Sequence, residues 1–220
     1  DNGDLYRHEF IEDVGILSDG VKFGTGWNFR QVIAGNRAIY GITDGGDMLV
    51  YMGTDGGRWL VDGLKIGNGW NFRLLFTSSQ DEIYGILPDG DMYFYKPDLN
   101  GILRGDNYWT EEEVKIGNGW MFSHVFSAGF GTIYTVDDNG EMLYYGRDRN
   151  GWQQPIVIDK GWVYPTVFGG AFGTIFSVSA DHSLAYSRHS AYKDGADGKW
   201  IIKNKKLSDG WNFPFIMAFT

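Results

Sequence analysis

The chain has 220 residues, of which 21% are charged and 43% hydrophobic, and its formal net charge is −9. This composition is typical of a folded globular protein and excludes a disordered low-complexity chain. The absence of cysteine excludes a disulfide framework, the excess of acidic residues argues against nucleic acid as a partner, and the lack of a long apolar run argues against membrane insertion.

A Gly-Trp pair recurs along the chain, first within Gly-Trp-Asn-Phe at residues 26–29. The five repeated tryptophans, Trp27, Trp70, Trp120, Trp162 and Trp211, are 43, 50, 42 and 49 residues apart. A period of about 46 residues is the length of one four-stranded propeller blade. We therefore predict a single all-β domain over residues 1–220, a five-bladed β-propeller with four antiparallel strands in each blade.

Each repeat contains three apolar segments followed by a charged one. In the second repeat they lie at residues 72–76, 83–87, 91–95 and 113–116. Near-continuous apolar runs are typical of strands covered on both faces, whereas alternating charges are typical of an outer edge strand. The Asp-Gly pairs between the second and third segments predict tight hairpin turns, and a calcium-binding loop is the alternative interpretation. The strands should therefore run from a central channel to the rim.

The two ends of the chain match different parts of one repeat. Residues 1–6 resemble residues 138–143, where a third strand starts, and residues 213–219 follow the last repeated tryptophan as a first strand would. We therefore predict that the N- and C-terminal segments together close the last blade. Counting from Trp211 indicates that about eight residues, those of the second strand, are missing from this blade. Further natural sequence would supply them; otherwise the last blade is closed by three strands or completed by another chain in an oligomer.

Residues 65–70 and 115–120 share the sequence Lys-Ile-Gly-Asn-Gly-Trp, and each follows a loop that ends in tryptophan. In these features the chain resembles the tachylectin-2 family of five-bladed propeller lectins over its whole length. The resemblance implies binding of N-acetylated amino sugars, such as N-acetylglucosamine or N-acetylgalactosamine, at several sites between neighbouring blades. It implies glycans as partners, no catalysis and no cofactor.

Two repeated positions supply candidate sugar contacts, because sugar sites combine an aromatic ring with a few amide, carboxylate or backbone groups. One position is a tryptophan 10 or 11 residues before the next repeated tryptophan, and the other is the Asn-Gly pair before the repeated tryptophan itself. The predicted sugar-binding residues are Trp59, Asp106, Asn107, Trp109, Asn150, Trp152, Trp200, Asn68, Gly69, Asn118 and Gly119. In the first segment the equivalent position holds Ile16, so we expect that site to be weak or missing.

Three alternatives stay open at the level of sequence. The repeated tryptophans are interpreted mainly as core packing, because large aromatic residues dominate the burial between stacked layers. A protein-interaction scaffold would use one face of the ring. A glycan-active enzyme would need acids or histidines brought together in space, and His182 and His189 could face each other across a hairpin. The histidines, however, recur at no repeat position. We therefore predict neither a catalytic nor a metal site.

Overall fold

The strands form four antiparallel four-stranded sheets arranged as the blades of a propeller, together with two short N-terminal sheets. The computed structural model describes residues 3–11, 14–54, 57–129, 131–148 and 151–218. The N-terminal strands are β1 (Leu5–Arg7), β2 (Phe10–Ile11), β3 (Ile16–Leu17) and β4 (Val21–Gly24). The first blade contains β5 (Gln31–Ala34), β6 (Ile39–Ile42), β7 (Met48–Gly53) and β8 (Trp59–Gly67).

The second blade adds a short helix to the same arrangement. It contains β9 (Leu74–Thr77), β10 (Ile83–Ile86), β11 (Met92–Pro97), α1 (Leu99–Arg104) and β12 (Trp109–Gly117). The third contains β13 (His124–Ser127), β14 (Ile133–Val136), β15 (Met142–Tyr145), the pair β16 (Arg147–Asp148) and β17 (Gly151–Trp152), and β18 (Ile156–Asp159). The fourth contains β19 (Thr166–Gly169), β20 (Thr174–Val178), β21 (Leu184–His189), α2 (Ala191–Asp194) and β22 (Trp200–Ser208).

The burial of the strands follows their order within a blade. Strands β6 and β10 are buried at every residue, as their apolar sequences predict. The fourth strand of the second blade, β12, is exposed over most of its length and lies at the sheet edge opposite β9. Neighbouring first strands contact one another around the ring, from β5 through β9 and β13 to β19. The predicted order of strands, from the inside of the ring to a charged rim, is confirmed for these blades.

A backbone hydrogen bond joins each repeated tryptophan to the hairpin turn of the preceding sheet. The turn glycines Gly46, Gly90 and Gly140 have φ of 75–87°, a conformation that glycine adopts without a steric penalty. The backbone N–H groups of Trp27, Trp70, Trp120, Trp162 and Trp211 donate to the carbonyls of Gly3, Gly46, Gly90, Gly140 and His182 at 2.8–3.0 Å. The Gly-Trp segments therefore hold neighbouring sheets in register.

The N-terminal pair β1–β4 has the geometry of the outer half of a blade. Leu5 lies opposite Gly24 and Tyr6 opposite Lys22, with an irregularity between the two pairs. The outer strands of the first blade show the same offset, since Met48 lies opposite Gly67 and Leu49 opposite Lys65. The described part of the N-terminal segment thus behaves as the predicted third strand, while Asp1 and Asn2 lie outside the described residues.

The C-terminal segment differs from the prediction. Residues 209–218 form no strand, whereas a first strand was expected. Instead Ile216 and Ala218 pack against the apolar cluster around Phe176 and Tyr186 of the fourth blade. The physical reason is that a strand needs a neighbouring strand for its backbone hydrogen bonds, and in the described residues β1 pairs only with β4. The apolar side chains of the segment are covered, but its backbone forms no ladder of hydrogen bonds with a neighbouring strand.

Arginine side chains add a second link between blades. Arg73 precedes β9, and its Nη2 and Nη1 donate to the carbonyls of Trp120 and Phe122 at 3.0 and 3.2 Å. Arg30 makes the equivalent contact with the carbonyl of Trp70. Hydrogen bonds from a charged donor are stronger than neutral ones, so these guanidinium groups fix the backbone around the next repeated tryptophan.

Replacing Arg73 by methionine should lower the free energy of unfolding by about 1–2 kcal/mol, because two inter-blade hydrogen bonds from a partly solvated cation are lost. For a domain of this size the melting temperature should fall by roughly 2–8 °C. Arg58→Met is the matched control, because the Arg58 guanidinium forms no hydrogen bond or ion pair between blades among the described residues. Equal melting temperatures for the two variants would contradict the role given to Arg73.

Two histidines, His124, which is half-buried, and His189, which is buried, make stability depend on pH. His124 Nε2 donates to the carbonyl of Tyr164 at 3.0 Å, and His189 Nδ1 lies 3.3 Å from the hydroxyl of Tyr134. Burial lowers the pKa of both imidazoles. His182 lies in the turn before β21 and His189 at the far end of that strand, so the expectation that they could face each other is wrong.

We expect the urea concentration at the midpoint of unfolding to decrease when the pH is lowered from 8 to 6. Both histidines have a lower pKa in the folded protein than in the unfolded chain, where it is about 6.5. The unfolded chain therefore binds protons first as the pH falls, so the stability present above the unfolded value is lost on acidification. A double variant, His124→Gln with His189→Gln, should show a flatter dependence over this range. If the urea midpoint of that variant depends on pH as steeply as that of the unmodified protein, the two histidines are not the cause of the pH dependence.

Candidate functional site

Each of the first three blades contains a cluster of three large aromatic rings. The repeated tryptophan lies against a tyrosine near the end of the third strand and against the tryptophan that starts the fourth strand or precedes it. In the second blade the ring centroid of Trp70 is 4.5 Å from that of Tyr95 and 5.6 Å from that of Trp109. The corresponding pairs are Trp27 with Tyr51 at 4.4 Å and Trp59 at 5.8 Å, and Trp120 with Tyr145 at 4.7 Å and Trp152 at 5.4 Å.

The predicted loop tryptophans are part of the sheets. Trp59, Trp109 and Trp200 are the first residues of fourth strands, and Trp152 lies in the short strand β17. All four are half-buried. The indole N–H of Trp109 donates to the carbonyl of Ile66 in the preceding blade at 3.0 Å, and that of Trp152 to Ile116 at 3.1 Å. Their placement in an open polar loop was therefore wrong, and they also connect neighbouring blades.

Two cavities occupy the same place in successive repeats, where the segment that follows the outer strand of one sheet meets the aromatic cluster of the next. The first has a volume of about 300 Å³ and is lined by Gly24, Thr25, Gly26, Trp27, Phe29, Tyr51, Trp59 and Asp62. The second has a volume of about 180 Å³ and is lined by Asn68, Gly69, Trp70, Phe72, Leu87, Tyr93, Tyr95, Glu112 and Glu113. Both combine aromatic walls with a carboxylate at the rim, as small-ligand sites commonly do.

The indole N–H of the repeated tryptophan is open in the first three repeats. The Nε1 atoms of Trp27, Trp70 and Trp120 donate to no protein acceptor among the described residues, and they are not among the enclosed unpaired atoms. Trp70 is only 4% exposed, yet its Nε1 therefore remains in reach of solvent. A glycine stands three residues before each of these tryptophans, and a Cβ at Gly67 would lie only 2.5 Å from Trp70 Nε1. These glycines leave room for an external acceptor.

In the last two repeats the same N–H is already satisfied. Trp162 Nε1 donates to Asp159 Oδ2 at 2.8 Å, and Trp211 Nε1 donates to Ser208 Oγ at 2.7 Å. Asp159 and Ser208 stand at the position that glycine holds in the first three repeats. The repeats therefore differ in the hydrogen bonding of the indole Nε1–H: three have a free donor, and in two the donor is bound by a side chain of the protein itself.

Carboxylates near the tyrosine hydroxyls shape the electrostatics of both cavities. Burial, and then the charge of Asp62, raises the pKa of Tyr51. Burial, followed by the charges of Glu113 and Glu112, raises the pKa of Tyr95. These phenols therefore stay protonated at neutral pH and remain hydrogen-bond donors.

The predicted polar contacts divide into two groups. Asn68 and Gly69 line the second cavity, and Asn118 and Gly119 hold the same positions in the third repeat. Asp106 and Asn107 do not line it: the Asp106 carboxylate binds Arg104 Nε and Nη2 at 2.9 and 3.1 Å, and Asn107 Nδ2 donates to the carbonyl of Trp109. This pair stabilises the turn after α1. Asn150 lies outside the described residues.

The predicted tryptophans also fall into two groups, one that lines a cavity and one that supports another ring. Trp59 lines the first cavity, whereas Trp109 supports Trp70 from outside the lining of the second. Trp152 is packed against Trp120 in the same way. Trp200 stacks on Trp162 at 5.5 Å, and its own Nε1 is buried without a hydrogen-bond partner.

Sequence reasoning missed the tyrosines and carboxylates of the cavities. Tyr51 and Tyr95 follow the repeated tryptophan by 24 and 25 residues, and Asp62 and Glu112 each follow the fourth-strand tryptophan by three. Both recurrences are visible in the printed sequence. They become interpretable only when the sheet register places the two positions beside the same indole ring.

Over the described residues no group of histidine, aspartate and glutamate is arranged to hold a metal ion. In the same part of the chain no helix is long and apolar enough to cross a membrane.

The family model for tachylectin matches residues 101–219, more than half of the chain. The chain belongs to the tachylectin family. A search of curated proteins finds no match. The tachylectin assignment agrees with the sequence resemblance and with the four propeller blades described above.

Several solved structures are similar to this chain at low sequence identity, and the first two described here show the propeller fold. A symmetrical protein from a study of de novo evolutionary emergence and folding constraints is 19% identical, with a TM-score of 0.59 covering 96% of this chain and 91% of that chain. AofleA from Arthrobotrys oligospora is 12% identical, with a TM-score of 0.50 covering 95% and 67%. The SapL1 lectin, solved with alpha methyl fucoside, is 15% identical, with a TM-score of 0.46 covering 93% and 77%.

Proposed function

We propose that the protein is a non-catalytic, multivalent lectin that binds N-acetylated amino sugars, such as N-acetylglucosamine or N-acetylgalactosamine, in the cavities between neighbouring blades. The observation that supports this most directly is the open indole N–H of Trp70 in a cavity walled by Phe72 and Tyr95. A sugar bearing an acetamido group offers a carbonyl acceptor, an apolar methyl group and hydroxyls. These match an indole donor, aromatic walls and nearby amide and carboxylate groups.

The repeats would not contribute equally. The free indole donors favour sites at Trp27, Trp70 and Trp120, while the caps on Trp162 and Trp211 disfavour the other two positions. At the fifth position Ile16 replaces the supporting tryptophan, and His8 lies against Trp211 at 4.9 Å instead. Several weak sites on one ring would gain avidity for clustered glycans, by a factor that reaches roughly 10²–10⁴ when the spacing fits.

The proposal includes one domain of five repeats over residues 1–220. The register of β1 with β4, and the hydrogen bond from Trp27 to Gly3, support a fifth blade whose outer half is N-terminal. A protein-interaction scaffold is the second candidate, and it would use a face of the ring rather than the cavities. Membership of the tachylectin family favours binding without catalysis.

A glycan array followed by calorimetry with methyl glycosides tests the proposal. We expect signals on glycans that end in N-acetylated amino sugars, and saturable heat with the matching monomeric glycoside. A blank array together with no heat from either N-acetyl sugar would reject carbohydrate binding and leave the interaction scaffold as the better account.

A further inference from the structure

The cavities of the first two repeats contain charge that N-acetyl sugars do not require. We infer that these two cavities bind a cationic sugar group, the protonated amine of a 2-amino sugar that is not acetylated. This inference rests on the proposed carbohydrate-binding function and adds a ligand class for two of its sites.

The walls of the second cavity are suited to a cation. Trp70, Phe72 and Tyr95 are 4%, 9% and 7% exposed, so their rings are fixed by packing and present aromatic surface to the cavity. Cations are attracted to the faces of aromatic rings, and most strongly to tryptophan. The first cavity has the equivalent rings Trp27 and Tyr51, and adds Trp59.

Uncompensated carboxylates complete both cavities. Asp62 lines the first, and Glu112 and Glu113 line the second. In the described part of the chain none of these three is in an ion pair, whereas Asp47, Asp91 and Asp159 each pair with a lysine. The negative charge of the cavities therefore has no internal partner.

The backbone of Glu113 is unusual for a glutamate. Its φ is 55°, in the left-handed region, where the equivalent residues of the first and fourth blades are Gly63 and Asn204. A residue other than glycine costs roughly 1–2 kcal/mol in this conformation. Within the described residues the Glu113 carboxylate makes no hydrogen bond or ion pair that offsets this cost, which is consistent with a role in ligand binding.

The unpaired indole of Trp70 is an independent indication of a ligand. Only 4% of Trp70 is exposed, the residue lines the cavity, and its Nε1 donates to no acceptor among the described residues. A sugar hydroxyl or ring oxygen would accept this hydrogen bond while the amine lies against the carboxylates. The indole supplies orientation, and the carboxylates supply selectivity for the charged form.

The other repeats lack this combination. The residue three places after the fourth-strand tryptophan is Asp62 or Glu112 in the first two repeats, but Pro155 and Lys203 in the third and fourth. Lys203 Nζ binds Asp159 at 2.7 Å, so this position carries a cation already paired within the chain. Selectivity for an amine should therefore be confined to the first two cavities.

Calorimetry with methyl glucosaminide and methyl N-acetylglucosaminide tests the inference on the intact protein. We expect the free amine to bind the unmodified protein and to bind more weakly as the Debye length falls from roughly 30 Å at 0.01 M salt to 3 Å at 1 M. In the triple variant Asp62→Asn, Glu112→Gln, Glu113→Gln, the ratio of amine affinity to N-acetyl affinity should fall about threefold to tenfold, the range for loss of one or two exposed ion pairs.

Glu111→Gln is the matched control, because it removes one charge from the same strand at a residue that does not line the cavity. Its affinity ratio should equal that of the unmodified protein. Binding of the N-acetyl sugar without the amine, or an unchanged ratio in the triple variant, overturns the inference and leaves the lectin proposal intact. Binding of neither sugar overturns both.

Discussion

Replacing Trp109 by alanine is expected to lower the free energy of unfolding by about 2–4 kcal/mol, somewhat less than the 3–5 kcal/mol for a fully buried tryptophan. Trp109 is half-buried, stacks on Trp70 at 5.6 Å and donates to the carbonyl of Ile66. Its loss would remove the support behind Trp70, so binding at the second cavity should weaken as well. Chemical denaturation and calorimetry with an N-acetyl sugar measure the two effects.

The variant Trp109→Phe separates packing from hydrogen bonding. It keeps a ring against Trp70 but deletes the indole N–H, so we expect a loss of about 1 kcal/mol from the missing hydrogen bond plus a small loss of ring contact. If Trp109→Ala is as stable as the unmodified protein, this tryptophan does not connect the blades. If it loses stability but keeps full binding at the second cavity, Trp70 does not depend on its support.

Substituting Gly67 by serine is expected to abolish binding at the second cavity. A Cβ there would lie 2.5 Å from Trp70 Nε1, and the buried indole has little room to move. Overpacking of this kind costs roughly 1–3 kcal/mol, and the displaced or capped N–H is lost as a donor to the ligand. The fifth repeat already has a serine here, with Ser208 Oγ accepting from Trp211.

Gly45→Ser is the control, because a Cβ at Gly45 would have only an ordinary contact, 3.8 Å from Thr43 Oγ1. It should leave both stability and binding near those of the unmodified protein. Ser208→Gly is the converse variant, and it should free the indole N–H of Trp211. Full binding at the second cavity in Gly67→Ser would show that the indole donor is not used.

The repeat and the strand order could be predicted because they depend on local signals. The spacing of Trp27, Trp70 and Trp120, the Asp-Gly turns and the apolar runs each indicate one element without knowledge of the others. The irregular conformation of residues 213–218 could not be predicted in this way. It depends on whether a neighbouring strand is available to pair with them.

The candidate site was predicted less well than the fold. Asp106 and Asn107 looked like ligand contacts, but their polar groups bind Arg104 and the backbone of Trp109 after a helix that the sequence did not reveal. The difference between Gly67 and Asp159 is plain in the sequence. Its consequence, an open or a capped indole, required the position of the indole ring relative to the strand.

Nuclear magnetic resonance of the indole N–H groups, titrated with methyl N-acetylglucosaminide, measures directly whether the open indole donors bind the sugar. Each repeated tryptophan contributes one indole signal, which a Trp→Phe variant assigns. We expect the signals of Trp27, Trp70 and Trp120 to move with saturable dependence on the sugar, while those of Trp162 and Trp211 stay fixed because Asp159 and Ser208 cap them. Movement of the capped signals alone, or of none of the five, would contradict this expectation.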